Sequence, residues 1–221
     1  TTGLISWWSM DETSGTRNDS HGTNHLTDVN TVGYATGKQS NAADFEASNS
    51  EYLTVADNAS LSTGDIDFTF AAWVQFESSG NRQIAGKWGL SAAGREWILV
   101  WETKLGFWVS SNGATTTKAE IATAPSTGVW YFVVCWHDAT ANTINIQINN
   151  GTPVSVSYSS GVYDSVTPFW MGALNNGVGA PFAGYYHDGL IDEASFWKRV
   201  LTDDERTWLY NSGNGRAYSE L

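Results

Sequence analysis

The stretch that decides the fold is HDGLIDEASFWKRVLTDDERTWLYNSGNG, residues 187–215, which joins a strand-like run to the clearest helix signal in the chain. Thr202 is a good N-cap and Glu205 follows three residues later, so the two form the capping-box pattern that starts a helix near Asp203. The acidic residues of the first turn also favour the positive end of the helix dipole. Gly213 is a natural stop. The sequence therefore predicts one short C-terminal helix.

The rest of the chain consists of short strand-like runs separated by turn clusters, without a repeat or a Pro-rich linker. The composition is rich in Gly, Asn, Thr and Ser and poor in Lys, Arg and Glu, which is typical of strands and turns. The clearest hairpin is NTINIQINNGTPVSVSY, residues 142–158, in which alternating apolar residues flank an Asn150-Gly151 turn. We therefore expect an all-β fold, a two-sheet antiparallel jelly-roll sandwich, as a single domain over residues 1–221.

Charge and hydropathy exclude some classes of partner. The formal net charge is −12 and no Lys/Arg cluster occurs, so we expect no nucleic-acid partner, because phosphate binding needs concentrated positive charge. No apolar run reaches transmembrane length, so no membrane insertion is expected. The chain has no signal peptide and begins abruptly at TTGLISWW, which we interpret as a mature or trimmed form.

Six segments of the chain, taken in order, are similar to one known family. They are LISWWSMDETSGTRNDSHG (4–22), AADFEASNSEYLTV (42–55), DFTFAAWVQF (67–76), GVWYFVVCWHDATANTINIQINNG (128–151), PFWMGA (168–173) and DGLIDEASFWKRVLTDDERTWLYN (188–211). Together they resemble the laminin-G-like jelly-roll domains of the concanavalin A-like lectin/glucanase superfamily. The last segment is the most specific, because it is close to a G-x-I-D-E strand followed by a short Leu-Thr/Ser-x-x-Glu helix. The resemblance implies two antiparallel sheets packed face to face, one of them concave towards solvent.

The superfamily contains both glycosidases and non-catalytic modules, so the fold alone does not fix the function. Its retaining glycosidases resemble one another in a strand with the pattern E-x-D-x-x-E, and retention needs two carboxylates about 5 Å apart. This chain has no such strand. The nearest acids, Glu96 and Glu102, lie six positions apart along one strand, which is too far at about 3.3 Å per residue. We therefore expect the protein not to be an enzyme.

The resemblance also implies a structural calcium ion, because calcium often ties the N-terminal segment of relatives to the G-x-I-D-E strand. Asp19 matches the D-S-x-G turn of the family and Asp192 matches its I-D-E aspartate. Calcium takes about six to eight oxygen ligands, and the surplus of carboxylates suits it. Relatives commonly read G-N-G after the D-S, where this chain has HGTN at 21–24, so the full ligand set stays open. In the alternative interpretation, Asp19 makes an Asx turn and Asp192 accepts hydrogen bonds from backbone amides.

The 12 tryptophans are compatible with sugar binding, which uses flat aromatic faces, although most large aromatic side chains belong to cores. The informative region is REWILVWETKLGFWVSS, residues 95–111, which is apolar on both faces of its strands. Two registers compete. With a two-residue turn, Trp97, Trp101 and Trp108 share one face. With a three-residue loop, Trp97 and Trp101 instead join Leu105 on its face.

The usual aliphatic core positions of the family match Ile98 and Val100, which favours the two-residue turn and places the indoles on the concave side. The Gly-rich segment 174–186 is expected to be a rim loop of a binding groove. In the alternative interpretation, a long loop covers the indoles. The predicted ligand-binding residues are Trp97, Trp101, Trp108, Trp170 and Tyr185.

These features predict a non-catalytic, extracellular carbohydrate-binding module that is stabilised by calcium and binds an oligo- or polysaccharide. The alternative is a structural or adhesion module of a cell-surface or virion protein. Such a module would bind a protein partner or associate with itself.

Overall fold

The computed structural model describes residues 1–221, in which two antiparallel sheets pack face to face. The strands of the first sheet are β1 (Leu4–Trp8), β3 (Gly33–Thr36), β4 (Asn41–Phe45), β6 (Phe68–Phe76), β11 (Trp130–Asp138), β12 (Thr143–Ile148), β13 (Val154–Ser157) and β15 (Gly189–Trp197). They run in the order β13-β12-β11-β6-β15-β4-β3, and β1 also pairs with β15.

The strands of the second sheet are β2 (Thr27–Val29), β5 (Tyr52–Val55), β7 (Arg82–Trp88), β8 (Arg95–Trp101), β9 (Leu105–Val109), β10 (Thr117–Glu120) and β14 (Phe169–Met171). Their order is β10-β9-β8-β7-β14-β5-β2. The helices are α1 (Asp203–Tyr210) and three short 3-10 turns at Ala47–Asn49, Asn211–Gly213 and Tyr218–Glu220. The expected all-β sandwich with one short C-terminal helix is confirmed.

The β8–β9 connection differs from the expected register. Trp101 pairs with Leu105, so the loop has three residues, and the Glu102 N–H donates to the carbonyl of Lys104. Trp97 and Trp101 therefore point into the core between the sheets, where Trp97 stacks on Phe196 with ring centroids 6.0 Å apart. The prediction that these two indoles lie on the concave side was wrong, because one extra loop residue exchanges the faces of the strand.

Helix α1 covers the outer face of the first sheet. Its capping box is formed as predicted, since Thr202 Oγ1 accepts from the Glu205 N–H and Glu205 Oε2 accepts from the Thr202 N–H. Tyr210 at the end of the helix stacks on Trp73 of β6 at 5.8 Å. Trp208 points the other way and is 38% exposed. Helix α1 therefore covers part of the outer face of the first sheet.

A fully buried ion pair holds loops against the second sheet. Lys87 Nζ on β7 lies 2.9 Å from Glu96 Oε2 on β8 and 2.8 Å from Asp57 Oδ1. Glu96 also accepts hydrogen bonds from the backbone N–H and hydroxyl groups of both Thr63 and Ser165. Buried charges of this kind persist only when they are paired and hydrogen-bonded. Glu96 is therefore a structural residue that joins two strands to two loops.

Candidate functional site

The outer face of the second sheet carries a separate set of large apolar side chains. Ile98 on β8 is paired with Trp108 on β9, and directly opposed residues of antiparallel strands share a face. Val100, Trp88 of β7 and Leu174 pack with them. Helix α1 lies on the other sheet, so this face is covered only by the segment that follows β14.

A cleft of about 190 Å³ opens over this cluster, and we call it the indole cleft. Its lining combines four aromatic rings with three charged side chains, which are Trp88, Trp108, Phe182, Tyr185, Arg95, Glu102 and Lys118. Sites that enclose a small molecule usually measure about 300–1,000 Å³. The indole cleft is smaller, so its geometry suits a ligand that lies across the sheet face.

Glu102, the only carboxylate that lines the indole cleft, is held by a neighbour. The Tyr185 hydroxyl donates to Glu102 Oε1 at 2.6 Å. Burial and the adjacent carboxylate raise the pKa of Tyr185 to about 12, so the phenol keeps its proton at neutral pH. This hydrogen bond ties the 174–186 segment to the β8–β9 loop and sets one wall of the cleft.

Each indole in the cleft lies beneath a cation. Lys118 pairs across the sheet with Trp108, and its Nζ is 3.5 Å from the centroid of that ring. The guanidinium of Arg95 lies 5.8 Å from the centroid of the Trp88 ring. Both distances fall within the range of cation–π contacts. Both indoles are largely buried, so the cations above them are what this part of the cleft presents to a ligand.

The structure brings together two of the five predicted ligand-binding residues, Trp108 and Tyr185, in the indole cleft. Trp170 faces the same side of the sheet, and its strand neighbours Phe169 and Met171 lie in the core. It stacks on Tyr52 at 4.3 Å, packs against Tyr186 and is almost fully buried. Trp170 therefore supports the rim segment and offers little surface to a ligand.

Sequence reasoning did not assign five of the aromatic and charged residues of the cleft to a binding site, which are Trp88, Arg95, Glu102, Lys118 and Phe182. Lys118 reaches the site through the pairing of β10 with β9, which no local pattern reveals. Trp88 lies at the irregular end of the β7–β8 pairing, where the register shifts. An excess of apolar residues on both faces of β8 was the one signal available, and it located the strand but not its neighbours.

The strand β15 bulges after Asp192 and buries two adjacent carboxylates. Asp192 Oδ2 accepts hydrogen bonds from the backbone N–H groups of Lys38 at 2.6 Å and Gln39 at 3.0 Å. Glu193 Oε2 accepts from the indole N–H of Trp7. The other two oxygens, Asp192 Oδ1 and Glu193 Oε1, are buried without a hydrogen-bond partner.

No basic side chain forms an ion pair with either carboxylate. Burial raises the pKa of Asp192 and of Glu193 well above the usual range. The charge of Asp192 raises the pKa of Glu193 further, and the charge of Asp11 raises both. A Cβ added to Gly37 would lie 2.5 Å from Asp192 Oδ2 and 2.6 Å from the Asn41 carbonyl oxygen, so an oxygen of β15 and one of β4 converge beside Gly37. These residues fit a calcium ion, which prefers carboxylate and carbonyl oxygens.

The carboxylate of Asp19 is held by backbone N–H groups. Its Oδ1 accepts from the backbone N–H groups of Trp7, His21 and Gly22, and its Oδ2 accepts from that of Asn24. Four donors thus point at its two oxygens, as in the Asx-turn alternative. Asp19 has no hydrogen-bond partner in common with Asp192, and its own contacts order the turn beside β1.

A separate group of three carboxylates lies at the surface. Asp44, Glu46 and Glu77 offer oxygens within 4.8 Å of one another. Burial raises the pKa of Asp44, and burial followed by the neighbouring acids raises the pKa of Glu77. Glu46 and Glu77 are solvent-exposed, so this group provides a comparison site for metal-binding experiments.

Two further cavities lie away from the indole cleft. One of about 210 Å³ is formed by Trp197, Arg199 and Trp208 with residues of both chain ends. The other, of about 300 Å³, lies among the loops around residues 91–94 and 163–168. None of the helices combines the length and apolar character that crossing a bilayer would require.

A known family matches most of this chain. Residues 47–205 match the sequence model Laminin_G_3, which is described as the concanavalin A-like lectin/glucanases superfamily. This range contains every strand from β5 to β15. A comparison with curated protein sequences gives no match.

Solved structures share the fold at low sequence identity. The binding domain of Paraclostridial Mosquitocidal Protein 1 is 13% identical, with a TM-score of 0.76, over 96% of this chain and 52% of that one. Domain 4 of AbnA, an extracellular GH43 arabinanase from Geobacillus stearothermophilus solved with arabinotriose, is 19% identical, with a TM-score of 0.71, over 96% and 98%. The binding domain of botulinum neurotoxin DC, solved with rat synaptotagmin II, is 12% identical, with a TM-score of 0.70, over 96% and 52%. The chain thus spans about half the length of the two toxin domains.

Proposed function

The chain belongs to the concanavalin A-like lectin/glucanase superfamily, and on that premise we propose that it is a non-catalytic carbohydrate-binding module. The observation that carries the proposal is the indole cleft, which places aromatic rings and polar groups together on a rigid sheet face. Tyr185 and Phe182 offer ring surface at the rim, and Phe182 is 41% exposed. Such a combination of apolar faces with a few fixed polar groups is what a sugar ring requires.

The distribution of carboxylates supports binding without hydrolysis. Glycosidases of both stereochemical classes use two carboxyl groups that flank the scissile bond. Among the residues that line the indole cleft, Glu102 is the only acid, and its Oε1 accepts the hydrogen bond from Tyr185. Glu96, the nearest acid along the same strand, is buried against Lys87 and faces no cleft.

The arabinanase domain adds support for a sugar ligand, because it was solved with arabinotriose and matches this chain over almost the full length of both. Its extracellular source is the basis on which we assign this chain to the extracellular space or the cell surface. The identity of 19% is too low to transfer arabinan as the ligand.

Calcium is part of the proposal as a structural ion at Asp192. Asp192 and Glu193 would supply the carboxylate oxygens, and a divalent cation would stabilise the ionised form of both buried groups, which no basic residue pairs with. The ion would hold β15 against the loop that carries Lys38 and Gln39, whose N–H groups already bind Asp192.

Replacing Trp108 with alanine is expected to weaken glycan binding at least tenfold, about 1.4 kcal/mol, because the floor of the indole cleft is lost. A glycan array probed in the presence of calcium identifies the ligand, and calorimetry on the best glycan measures Kd for both proteins. Trp208→Ala is the matched control, since that indole lies on helix α1. The proposal fails if no glycan binds, or if the Trp108 variant binds as tightly as the parent chain.

A second candidate function is adhesion through a protein partner or through self-association, as in a cell-surface or virion component. It is favoured by two apolar side chains on the rim loops, Val166 and Val178, which are 85% and 84% exposed. The neurotoxin domain was solved in complex with synaptotagmin, so a domain of this fold can also bind a protein. Light scattering of the purified chain separates the two functions, since self-association predicts a mass above 24.1 kDa that falls in a Val166→Ser/Val178→Ser variant.

A further inference from the structure

We infer that the glycan bound in the indole cleft is an acidic one, recognised through the carboxylate of a hexuronic acid. This inference rests on the proposed function and adds the chemical class of the ligand. It starts from charge: the chain carries 11 Lys and Arg against 23 Asp and Glu, yet the cleft is lined by two cations and one carboxylate.

The positions of the two cations decide how a ligand meets the cleft. Lys118 Nζ lies 3.5 Å above the Trp108 ring and the Arg95 guanidinium lies 5.8 Å from the Trp88 ring. A neutral sugar that stacks flat on either indole has to displace a cation from it. A negatively charged sugar can pair with both cations in the positions that they already occupy.

An unpartnered hydrogen-bond donor of Arg95 also favours an acidic ligand. Arg95 Nη1 donates to the Ala114 carbonyl, whereas its Nε–H is buried without an acceptor. The buried indole N–H of Trp108 does not add to this, because it packs against Gly106, where an added Cβ would lie 2.5 Å from Nε1. A guanidinium presents its Nε and second Nη as a planar pair of donors that matches the two oxygens of a carboxylate.

The acids around Lys118 do not neutralise it. Glu120 approaches Lys118 only at 4.0 Å and is shared with Lys104 at 3.9 Å, and all three side chains are partly exposed. Exposed pairs of this length contribute little. The net charge of −12 acts weakly here, because screening at physiological ionic strength sets in at about 8 Å.

The test compares oligouronates with their carboxyl-reduced counterparts, which keep the linkage and lose the charge. The probes are oligosaccharides of galacturonate, of alginate and of hyaluronan, each in both forms, together with neutral and sulfated oligosaccharides. Calorimetry is expected to show that at least one oligouronate binds ten or more times tighter than its reduced form. Lys118→Ala and Arg95→Gln should each raise that Kd about tenfold, whereas Lys104→Ala, a cation outside the cleft, should leave it within twofold.

The inference is overturned if an oligouronate and its reduced form bind equally well. It is also overturned if only neutral or sulfated glycans bind. In both cases the proposed function stands. Binding of no glycan of any class overturns the proposed function together with the inference. Melting temperatures of the variants confirm that each is folded, since Lys118 lies on the surface and Arg95 is partly exposed.

Discussion

Replacing Glu96 with alanine is expected to lower the free energy of unfolding by about 3–5 kcal/mol, because it leaves Lys87 in the interior with one partner fewer. Lys87 and Glu96 have fully buried side chains 2.9 Å apart. The substitution also removes the acceptor for four donors of Thr63 and Ser165. For a chain of this size the melting temperature should fall by roughly 6–20 °C, which thermal unfolding followed by circular dichroism measures.

Two variants separate the ion pair from a general effect of losing a glutamate. Glu120→Ala removes a partly exposed glutamate from the same sheet, and we expect it to change the free energy by less than about 0.5 kcal/mol. Glu96→Gln keeps an acceptor for Thr63 and should fall between the two. A Glu96→Ala protein that melts at the temperature of Glu120→Ala would show that the pair does not hold these loops.

Adding calcium to chelator-treated protein is expected to stabilise it by about 2.7 kcal/mol at a hundredfold excess over Kd, because the ion binds only the folded state. The corresponding rise in melting temperature is roughly 5–11 °C. In Asp192→Asn the rise should disappear. The chelated variant should be at least as stable as the chelated parent, since asparagine still accepts from Lys38 and Gln39 and no longer buries an unbalanced charge.

Asp19→Asn and Glu77→Gln locate the ion. Asp19→Asn should unfold more easily with or without calcium, because an amide nitrogen cannot accept the Asn24 N–H, and its calcium response should remain. Glu77→Gln should also keep the response. A response that survives in Asp192→Asn and vanishes in Glu77→Gln would place the ion at the surface group of Asp44, Glu46 and Glu77 instead.

Local signals in the sequence were sufficient for the features that depend on neighbouring residues. The capping box of Thr202 and Glu205 forms within one helical turn, so its pattern in the sequence predicts it fully. The contacts of Asp19 are also local apart from that with Trp7, and they match the Asx turn that the sequence offered as the alternative to a calcium ligand. The two-sheet sandwich followed from the resemblance to a family.

The candidate site could not be predicted in the same way, because it depends on register and on pairing between distant strands. Both faces of β8 are apolar, so hydrophobicity could not choose between a two-residue and a three-residue connection to β9. That choice moved Trp97 and Trp101 into the core and left Trp108 outside. The cation above Trp108 comes from β10, through a pairing with no signature in the sequence.

The most direct test of ligand binding on the outer face of the second sheet uses the indole N–H resonances of the 12 tryptophans. Isotope-labelled protein is titrated with a binding oligosaccharide, and single Trp→Phe variants assign the signals. We predict that the resonances of Trp88 and Trp108 shift while those of Trp97 in the core and Trp208 on helix α1 stay in place. Shifts confined to Trp197 and Trp208, with Trp88 and Trp108 unmoved, would place the ligand beside helix α1 and contradict the site.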